Sequence, residues 1–552
     1  MPGLKKIIGS PYFVSCFAAL LIVACGVGIL VGPIVNGHDT YISFSHVQTW
    51  ADALKSGDLI SSWTPLDANG FGSPVPFFYH KLFNIVAAAL TLATGDIVSG
   101  FRLGILFFAA VMLYGTCACA ARLGADRRSQ WVIGIACVLS PYAVVCLTQR
   151  GAVAEYSAMA LIPLVIARTL DLSTAAHRFR RALELFVLLV LLALAHLVIF
   201  LAAAGMLIVL SLYLLTRSVS RGSPLLAASG AALVLFAGLI YVPFTVWGAF
   251  FCPAQAQLHG LPADNAVSLL RIFSPMPGSW FGWPILALLI GVALQVRHRR
   301  GQRATIVLSL ALAAFLVTLC MTRLAAPLWR SSELLYFVQF PWRLLSITTP
   351  MIFVAFAGML EQLPHTLKRY AQVGLLTITV LNVGGGLHAL EKVFTTIPVA
   401  VLRHPSPSTG PGPDAGGEYF PARYQRQLAA SPDIIKVKAS SVLPARRPLV
   451  ESTAGCQAQP VAQVAYFRTL QIHATCNAAG TVQVSQFDTP FLAVTATRAE
   501  NGTVIRPLHG GPFIELPLST GNWTIVVRQR SYMELVQMAW ERKLGLANNP
   551  GS

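Results

Sequence analysis

The chain has 552 residues, 55% of them hydrophobic and 11% charged, with a mean hydropathy of +0.64. That balance belongs to an integral membrane protein. The formal net charge of +18 does not point to nucleic acid, because the basic residues fall in short loops between apolar segments rather than in one patch.

In chain order, Lys5-Lys6 precede a first apolar segment near residues 11–34. No small-residue cleavage site followed by a soluble domain is evident, so it reads as an uncleaved first helix. Directly after it come Asn36-Gly37-His38-Asp39-Thr40. A carboxylate at the bilayer face is costly unless paired or used, and for Asp39 alone a helix cap and a functional site fit equally. The aromatic, Pro- and Gly-rich loop that follows, ending at Tyr79-His80-Lys81, favours the site.

Further spans are expected near 98–121, 131–148, 153–170, 181–196, 197–216, 226–250, 282–296, 304–321, 341–361 and 371–390. The 181–216 block suits two short helices broken near His196. The shorter apolar stretch 82–94 decides the parity. If it crosses, the loop containing Arg122, Arg127 and Arg128, and every later Arg-rich loop, falls outside. If it does not, those loops, together with Arg178–Arg181, Arg217–Arg221, Arg297–Arg303 and Lys368-Arg369, are cytoplasmic. The second option gives about eleven spans, with twelve or thirteen as an upper bound, the N-terminus inside and the C-terminus outside.

That topology puts 35–97, the Gln149-Arg150-Gly151 turn, 251–281 and 322–340 on the outer side. Arg150 and Glu155 stand one helical turn apart at the mouth of a span, close enough to pair. Arg343 follows Phe340-Pro341-Trp342 at another mouth. A structural ion pair and an arginine that merely reaches for headgroup phosphates are the plain alternatives to a site.

After residue 390 the character changes. The partition expected is a polytopic domain over 1–390 with its first outer loop at 35–81, a linker over 391–420 rich in Pro and Gly, and a β-sandwich-like domain over 421–552. Strands are expected at 462–474, 481–487, 491–498, 513–518 and 523–529, with turns at Asn501-Gly502 and Gly510-Gly511. Of ten cysteines, eight lie in or beside apolar helices. Cys456 and Cys476 are the two in the tail, and in an oxidising compartment they can close a loop worth roughly 3 kcal/mol.

No P-loop, no structural zinc spacing and no G-x-S-x-G elbow occurs in the sequence. Ionisable residues inside the spans are few, Glu184 and His196 being the visible ones, and each reads as a helix-end or core residue. A polar path through the membrane is therefore poorly supported.

Three blocks of the first outer loop resemble that of bacterial GT-C-type glycosyltransferases: Gly37-His38-Asp39-Thr40, Ser61-Ser62-Trp63-Thr64-Pro65 and Asn69-Gly70-Phe71-Gly72-Ser73-Pro74, ending at Phe77-Phe78-Tyr79-His80. Within that class the chain is similar to the YfhO-like proteins and the group labelled 6-pyruvoyl-tetrahydropterin synthase-related. Arg150-Gly151-Ala152-Val153-Ala154-Glu155 matches that group's Arg-Gly-Ala-x-x-Glu block, and Phe340-Pro341-Trp342-Arg343 and Gly417-Glu418-Tyr419-Phe420-Pro421 match further ones. The likeness covers about 1–425. Many such proteins end in another membrane helix, for which residues 531–552 here are too polar.

The resemblance implies an enzyme of the inner membrane with its C-terminal domain on the periplasmic side. It would transfer a sugar from a polyprenyl-phosphate donor to a glycan, lipid or protein acceptor on the outer face. Asp39 is then the base, with Glu155 as a catalytic partner that orients it or supports a metal. Arg150 and Arg343 face the phosphate, and His38, Trp63, Tyr79 and His80 bind substrate. A divalent metal on Asp39 is left open. The competing readings are a lipid or polysaccharide transporter or flippase, and a non-catalytic envelope assembly factor.

Overall fold

The structure is a computed structural model. It describes residues 11–251, 262–268, 302–403 and 449–546, apart from short stretches at 66, 173–176, 218, 220–221, 332–334, 336–337, 392–395, 462–465, 509–510 and 512. The chain divides into two compact units that do not follow chain order. The first comprises Met1–Thr40, Phe101–Val234 and His259–Val399; the second comprises Tyr41–Gly100, Leu235–Leu258 and Ala400–Ser552.

The longer helices among the described residues are α1 (Pro11–Val31), α2 (Thr40–Lys55), α3 (Leu82–Thr94), α4 (Ile97–Arg122), α5 (Arg127–Val138), α6 (Val153–Asp171), α7 (Arg178–Ala195), α8 (Leu197–Thr216), α9 (Gly222–Phe236), α10 (Gln302–Cys320), α11 (Leu345–Leu360), α12 (His365–Glu391) and α13 (Tyr532–Lys543). Among the described residues, seven helical segments are long and apolar enough to cross a membrane. They are Val14–Val31, Ile97–Arg122, Arg127–Arg150, Val153–Asp171, Leu197–Thr216, Gly222–Gly248 and Pro341–Leu360. The protein is thus a multi-pass helical membrane protein.

The remaining expected spans fare differently. The stretch 282–296 lies outside the described residues. Residues 181–196 are helical, but α7 carries Arg178, Arg180, Arg181 and Glu184 in its first two turns and is not among the seven. α10 is a shorter apolar helix, and 371–390 falls within α12. The ambiguous 82–94 is α3, of 13 residues. That is about 20 Å of helix against a hydrocarbon core of about 30 Å, too short for a perpendicular crossing.

Local chemistry fixes the helix ends of the first unit. The Asp126 carboxylate caps α5 by accepting the Ser129 N–H at 2.8 Å. His196 takes an extended conformation, φ −163° and ψ 115°, and so breaks the apolar run into α7 and α8. One set of helix ends carries a charge network. Arg122 at the end of α4 pairs with Asp171 at the end of α6 (2.6 Å), and Arg168 and Arg181 pair with Glu184 at the start of α7 (2.7 and 2.9 Å). Lys368, opening α12, bonds Asp126 and Glu361, both at 2.6 Å.

The second unit contains the β domain. Strands β3 (Val450–Ser452), β6 (Gly480–Phe487) and β9 (Phe513–Leu518) form one antiparallel sheet, in the order β3-β6-β9. β4 (Cys456–Pro460), β5 (Thr469–Cys476), β7 (Leu492–Arg498), β8 (Val504–Ile505) and β10 (Gly521–Gln529) form the other, in the order β4-β5-β10-β7-β8. Strict alternation buries Leu470, Ile472 and Ala474 on β5, with Trp523 and Ile525 on the adjacent β10, in one core with Val482, Val484, Ile514 and Leu516 of the other sheet, as a two-layer core requires. Cys456 faces Cys476 in register, and the two are joined in a disulfide.

The first outer loop is helical at α2, and its aromatic residues are packed into the core of this same unit. The Trp63 indole donates to Gln486 Oε1 at 3.0 Å, and the Ser61 hydroxyl meets Tyr466 Oη at 2.8 Å. Phe71 packs on Phe513 with ring centroids 4.8 Å apart. Helix α13 was not expected from hydropathy. Its signal is Ser531-x-x-Glu534, which forms a capping box.

Candidate functional site

The stretch Gly37-His38-Asp39 is held by backbone pairing on both sides. Before it, β1 (Ile34–Val35) pairs antiparallel with β2 (Thr396–Ile397). At the stretch itself, His38 N–H donates to Gln149 O (3.2 Å) and Asp39 N–H to Arg150 O (2.7 Å). Two glycines allow this approach. A Cβ on Gly37 would stand 2.6 Å from Thr148 O and 2.9 Å from Gln149 O, and one on Gly151 would overlap the Thr40 backbone nitrogen. Gly151 also has φ +64°, a conformation natural to glycine, and it ends a π turn, Cys146–Arg150, that carries Arg150 to the mouth of its span. The two sequence blocks 37–40 and 150–155 are therefore one local structure.

Beneath them lies a buried polar cluster. Arg150 Nη1 meets Glu155 Oε2 at 2.7 Å, both side chains being under 10% exposed. Arg150 also donates to Tyr142 Oη (2.9 Å), the Tyr142 hydroxyl donates to Glu155 Oε1, and the Ser346 hydroxyl donates to the same oxygen at 3.1 Å. Glu155 is thus tied by three donors from two helical segments, Arg127–Arg150 and Pro341–Leu360, which suits orientation better than proton transfer.

Arg343 forms the upper layer. Its Nε is 4.0 Å from Glu155 Oε2, and its Nη1 donates to Gln339 Oε1 at 3.2 Å. Its guanidinium carbon is 5.1 Å from the Phe340 ring centroid, which itself stacks on Trp342. Gln339 sits at φ +55°, a conformation uncommon outside glycine, and such local strain concentrates at functional positions. Its carbonyl accepts from Asn265 at 3.0 Å.

Asp39 is half-buried and His38 is exposed. Burial raises the Asp39 carboxyl above its ordinary range, opposed by the positive fields of Arg150, Arg343 and His38 and reinforced by Glu155. The result is an accessible carboxyl with enhanced basicity beside two guanidinium groups. His196 also lies within electrostatic reach of Arg343 and Arg150.

The structure brings together His38, Asp39, Arg150, Glu155 and Arg343, all within the first unit. Trp63, Tyr79 and His80 belong to the second. Trp63 was expected to bind substrate and is instead fully buried, its indole N–H spent on Gln486, so it offers no face to a ligand. Tyr79 packs on His46 (4.5 Å) and His80 (5.0 Å). Tyr142, Gln339 and Ser346 were missed, because a tyrosine, a glutamine and a serine in or beside apolar segments carry no sequence signal until their partners are known. Glu155 faces Arg150 and Arg343, and among the described residues no three His, Cys, Asp or Glu side chains converge.

A family model described as a 6-pyruvoyl-tetrahydropterin synthase related domain, membrane protein, matches residues 76–390, over half of the chain. Arg150, Glu155 and Arg343 fall inside that match, and Asp39 precedes it. No curated protein matches the chain. Two solved structures of ArnT from Cupriavidus metallidurans are similar. One, bound to undecaprenyl phosphate, aligns at 12% identity and TM-score 0.44 over 72% of this chain and 78% of that one. The other, in the apo state, aligns at 14% identity and TM-score 0.30 over 68% and 77%. At those scores the likeness fixes neither fold nor chemistry.

Proposed function

This chain belongs to the 6-pyruvoyl-tetrahydropterin synthase related family of membrane proteins, and from that premise we propose that it is a membrane glycosyltransferase of the GT-C type. It moves a sugar from a polyprenyl-phosphate-linked donor to a glycan, lipid or protein acceptor at the outer face of the inner membrane. The family description states a relation and no reaction, so the chemistry is argued from the site.

The observation that carries the reading is the docking of Gly37-His38-Asp39 onto Arg150-Gly151, with the Asp39 carboxyl within electrostatic reach of Arg150 and Arg343. In the proposed step, Asp39 accepts the proton of an acceptor hydroxyl as its oxygen attacks the anomeric carbon. The bond between that carbon and the phosphate oxygen breaks, and the electron pair leaves with the polyprenyl phosphate. Arg343, partly open to solvent, meets the growing phosphate charge, with Arg150 behind it. A carboxyl raised by burial is a stronger base than a solvated one, which suits this role. Glu155 fixes the direction of Arg150 and shares the field of Arg343.

Asp39→Asn tests the assignment in a deletion strain complemented with the variant. Loss of a positioned general base costs on the order of 10²–10⁴-fold in rate. The expected result is normal membrane levels, sugar transfer nearly abolished, and lipid-linked sugar accumulating. Near-normal transfer would make Asp39 a structural residue and remove the base from the reading.

A further inference from the structure

Helix α13 presents three different surfaces. Its inner face, Leu535, Val536 and Ala539, is buried. Its ends are pinned to the segment 235–250 of the same unit. The Tyr532 hydroxyl donates to Leu239 O at 2.6 Å, the Trp540 indole to Gly238 O at 3.0 Å, and the Trp247 indole to Leu535 O at 2.9 Å. Gly238 and Leu239 lie in a π turn, Ala237–Tyr241, where the shifted pairing leaves carbonyls open to outside donors.

That segment is the end of the span Gly222–Gly248, whose apolar window has a mean hydropathy of 2.3 and is only 22% buried inside the protein. Its exposed side chains, Val234, Leu235 and Tyr241 among them, are apolar or aromatic, as a lipid-facing surface requires, and α13 lies along its last turns. The outer stripe of α13 is apolar as well. Met533 is 58% exposed, Trp540 38% and Leu544 62%. With the exposed Gln537 they follow helical spacing, so they share one face. Beside them Arg542 and Lys543, together with Val246, Ala249 and Phe250, line a cavity of about 400 Å³. The Arg542 guanidinium carbon stands 5.2 Å from the Phe250 ring centroid.

We propose that α13 is an interfacial helix lying in the membrane–water boundary, and that Arg542 and Lys543 hold the phosphate of an anionic phospholipid headgroup above Phe250. A lipid surface fits better than a protein partner for three reasons. The stripe is continuous with a lipid-facing span. The exposed Tyr241 and Trp540 stand at its end, where aromatic side chains gather in membrane proteins. The two cations flank an apolar face, the pattern of helices that lie flat in the interface. The β domain is thereby held to the bilayer by a device separate from its covalent connection to the spans. This inference is independent of the proposed glycosyl transfer.

The test uses the full chain in nanodiscs with p-benzoylphenylalanine at Gln537 or, as control, at the exposed Gln457 of β4. After ultraviolet irradiation, phospholipid adducts are read by mass spectrometry in discs of phosphatidylcholine alone or mixed with phosphatidylglycerol. Lipid adducts at position 537 and none at 457 are expected. Adducts at 537 to protein alone, or no adduct, overturn the interfacial placement. Phosphatidylglycerol should be enriched about fivefold per cation over its share of the disc. The Arg542→Glu/Lys543→Glu variant should lose that enrichment while still forming phosphatidylcholine adducts. Arg542→Gln/Lys543→Gln, which avoids new repulsion, should behave the same way. Equal capture of both lipids by the wild-type chain, or an enrichment that survives both double variants, overturns the headgroup site.

Discussion

Asp39 and Glu155 are carboxylates near the same two arginines, yet their surroundings give them different tasks. Glu155 is buried and accepts from Arg150, Tyr142 and Ser346. Removing its charge leaves Arg150 buried without its counter-ion, a change that typically costs about 3–5 kcal/mol. Glu155→Gln is therefore expected to lower thermal stability and membrane levels together with transfer, whereas Asp39→Asn spares stability; melting curves of the two variants in detergent separate them. Gly151 acts through backbone alone. In Gly151→Ala the new methyl would meet Thr40 and the left-handed φ would be strained. A displacement of about 1 Å at a reacting group costs on the order of 10²-fold. Transfer should fall by that factor while the side chains of Asp39 and Arg150 stay unchanged in kind, and a variant with full transfer would show that the close approach is dispensable. Sequence reading named Asp39, Arg150, Glu155 and Arg343 because charge at a membrane face is conspicuous. It missed Tyr142, Gln339 and Ser346 because their meaning lies in contacts, such as Ser346 to Glu155 across 191 residues.

At the scale of elements, three expected strands of the tail, 481–487, 491–498 and 513–518, are reproduced within one residue at each end, whereas the one expected at 462–474 is observed at Thr469–Cys476, with 462–465 outside the described residues. Period-two alternation is a local signal and needs no tertiary knowledge. The loop after α1 is the contrary case. It reads as an open aromatic surface for sugar, but a long structureless loop in a compact protein is uncommon. Here α2 lies in the same compact unit as the β domain, and Trp63, Phe71 and Phe77 are part of that unit's core. The disulfide belongs to this scale too. Cys456 and Cys476 join adjacent strands at a Cα–Cα distance of 4.0 Å and close a loop with a sequence separation of 20, for which chain-entropy arguments give about 3 kcal/mol. Cys456→Ser/Cys476→Ser should destabilise the β domain by that amount in denaturant unfolding followed by tryptophan fluorescence. A midpoint unchanged from wild type would mean the bond contributes nothing at equilibrium.

For the whole molecule, the alternation of charged helix ends is the strongest constraint. α6 runs from Glu155, in the candidate site, to Asp171, in the arginine network. Its 19 residues span about 28 Å, close to the thickness of a bilayer core. Lys368, Asp126 and Glu361 gather at ends of α5, α11 and α12, whereas Arg343 stands at the opposite end of α11. The basic ends are expected to be cytoplasmic. A cysteine at the 74% exposed Arg180 should resist an impermeant thiol reagent in spheroplasts, and one at the exposed Thr503 should react. Labelling at position 180 would invert the topology and put α3 back among the spans.

The sequence by itself determined the membrane class, the approximate positions of the described spans, the basic faces and the alternating strands. All of these follow from hydropathy, charge and periodicity read within one element. Only the tertiary structure decided that the loop carrying Asp39 docks on the turn carrying Arg150, that Trp63 is core rather than binding surface, and that α13 caps the end of a span. Each of those depends on which distant side chains and backbone groups meet. The free energy of such a meeting lies in paired burial and hydrogen bonding, which no single stretch of chain contains.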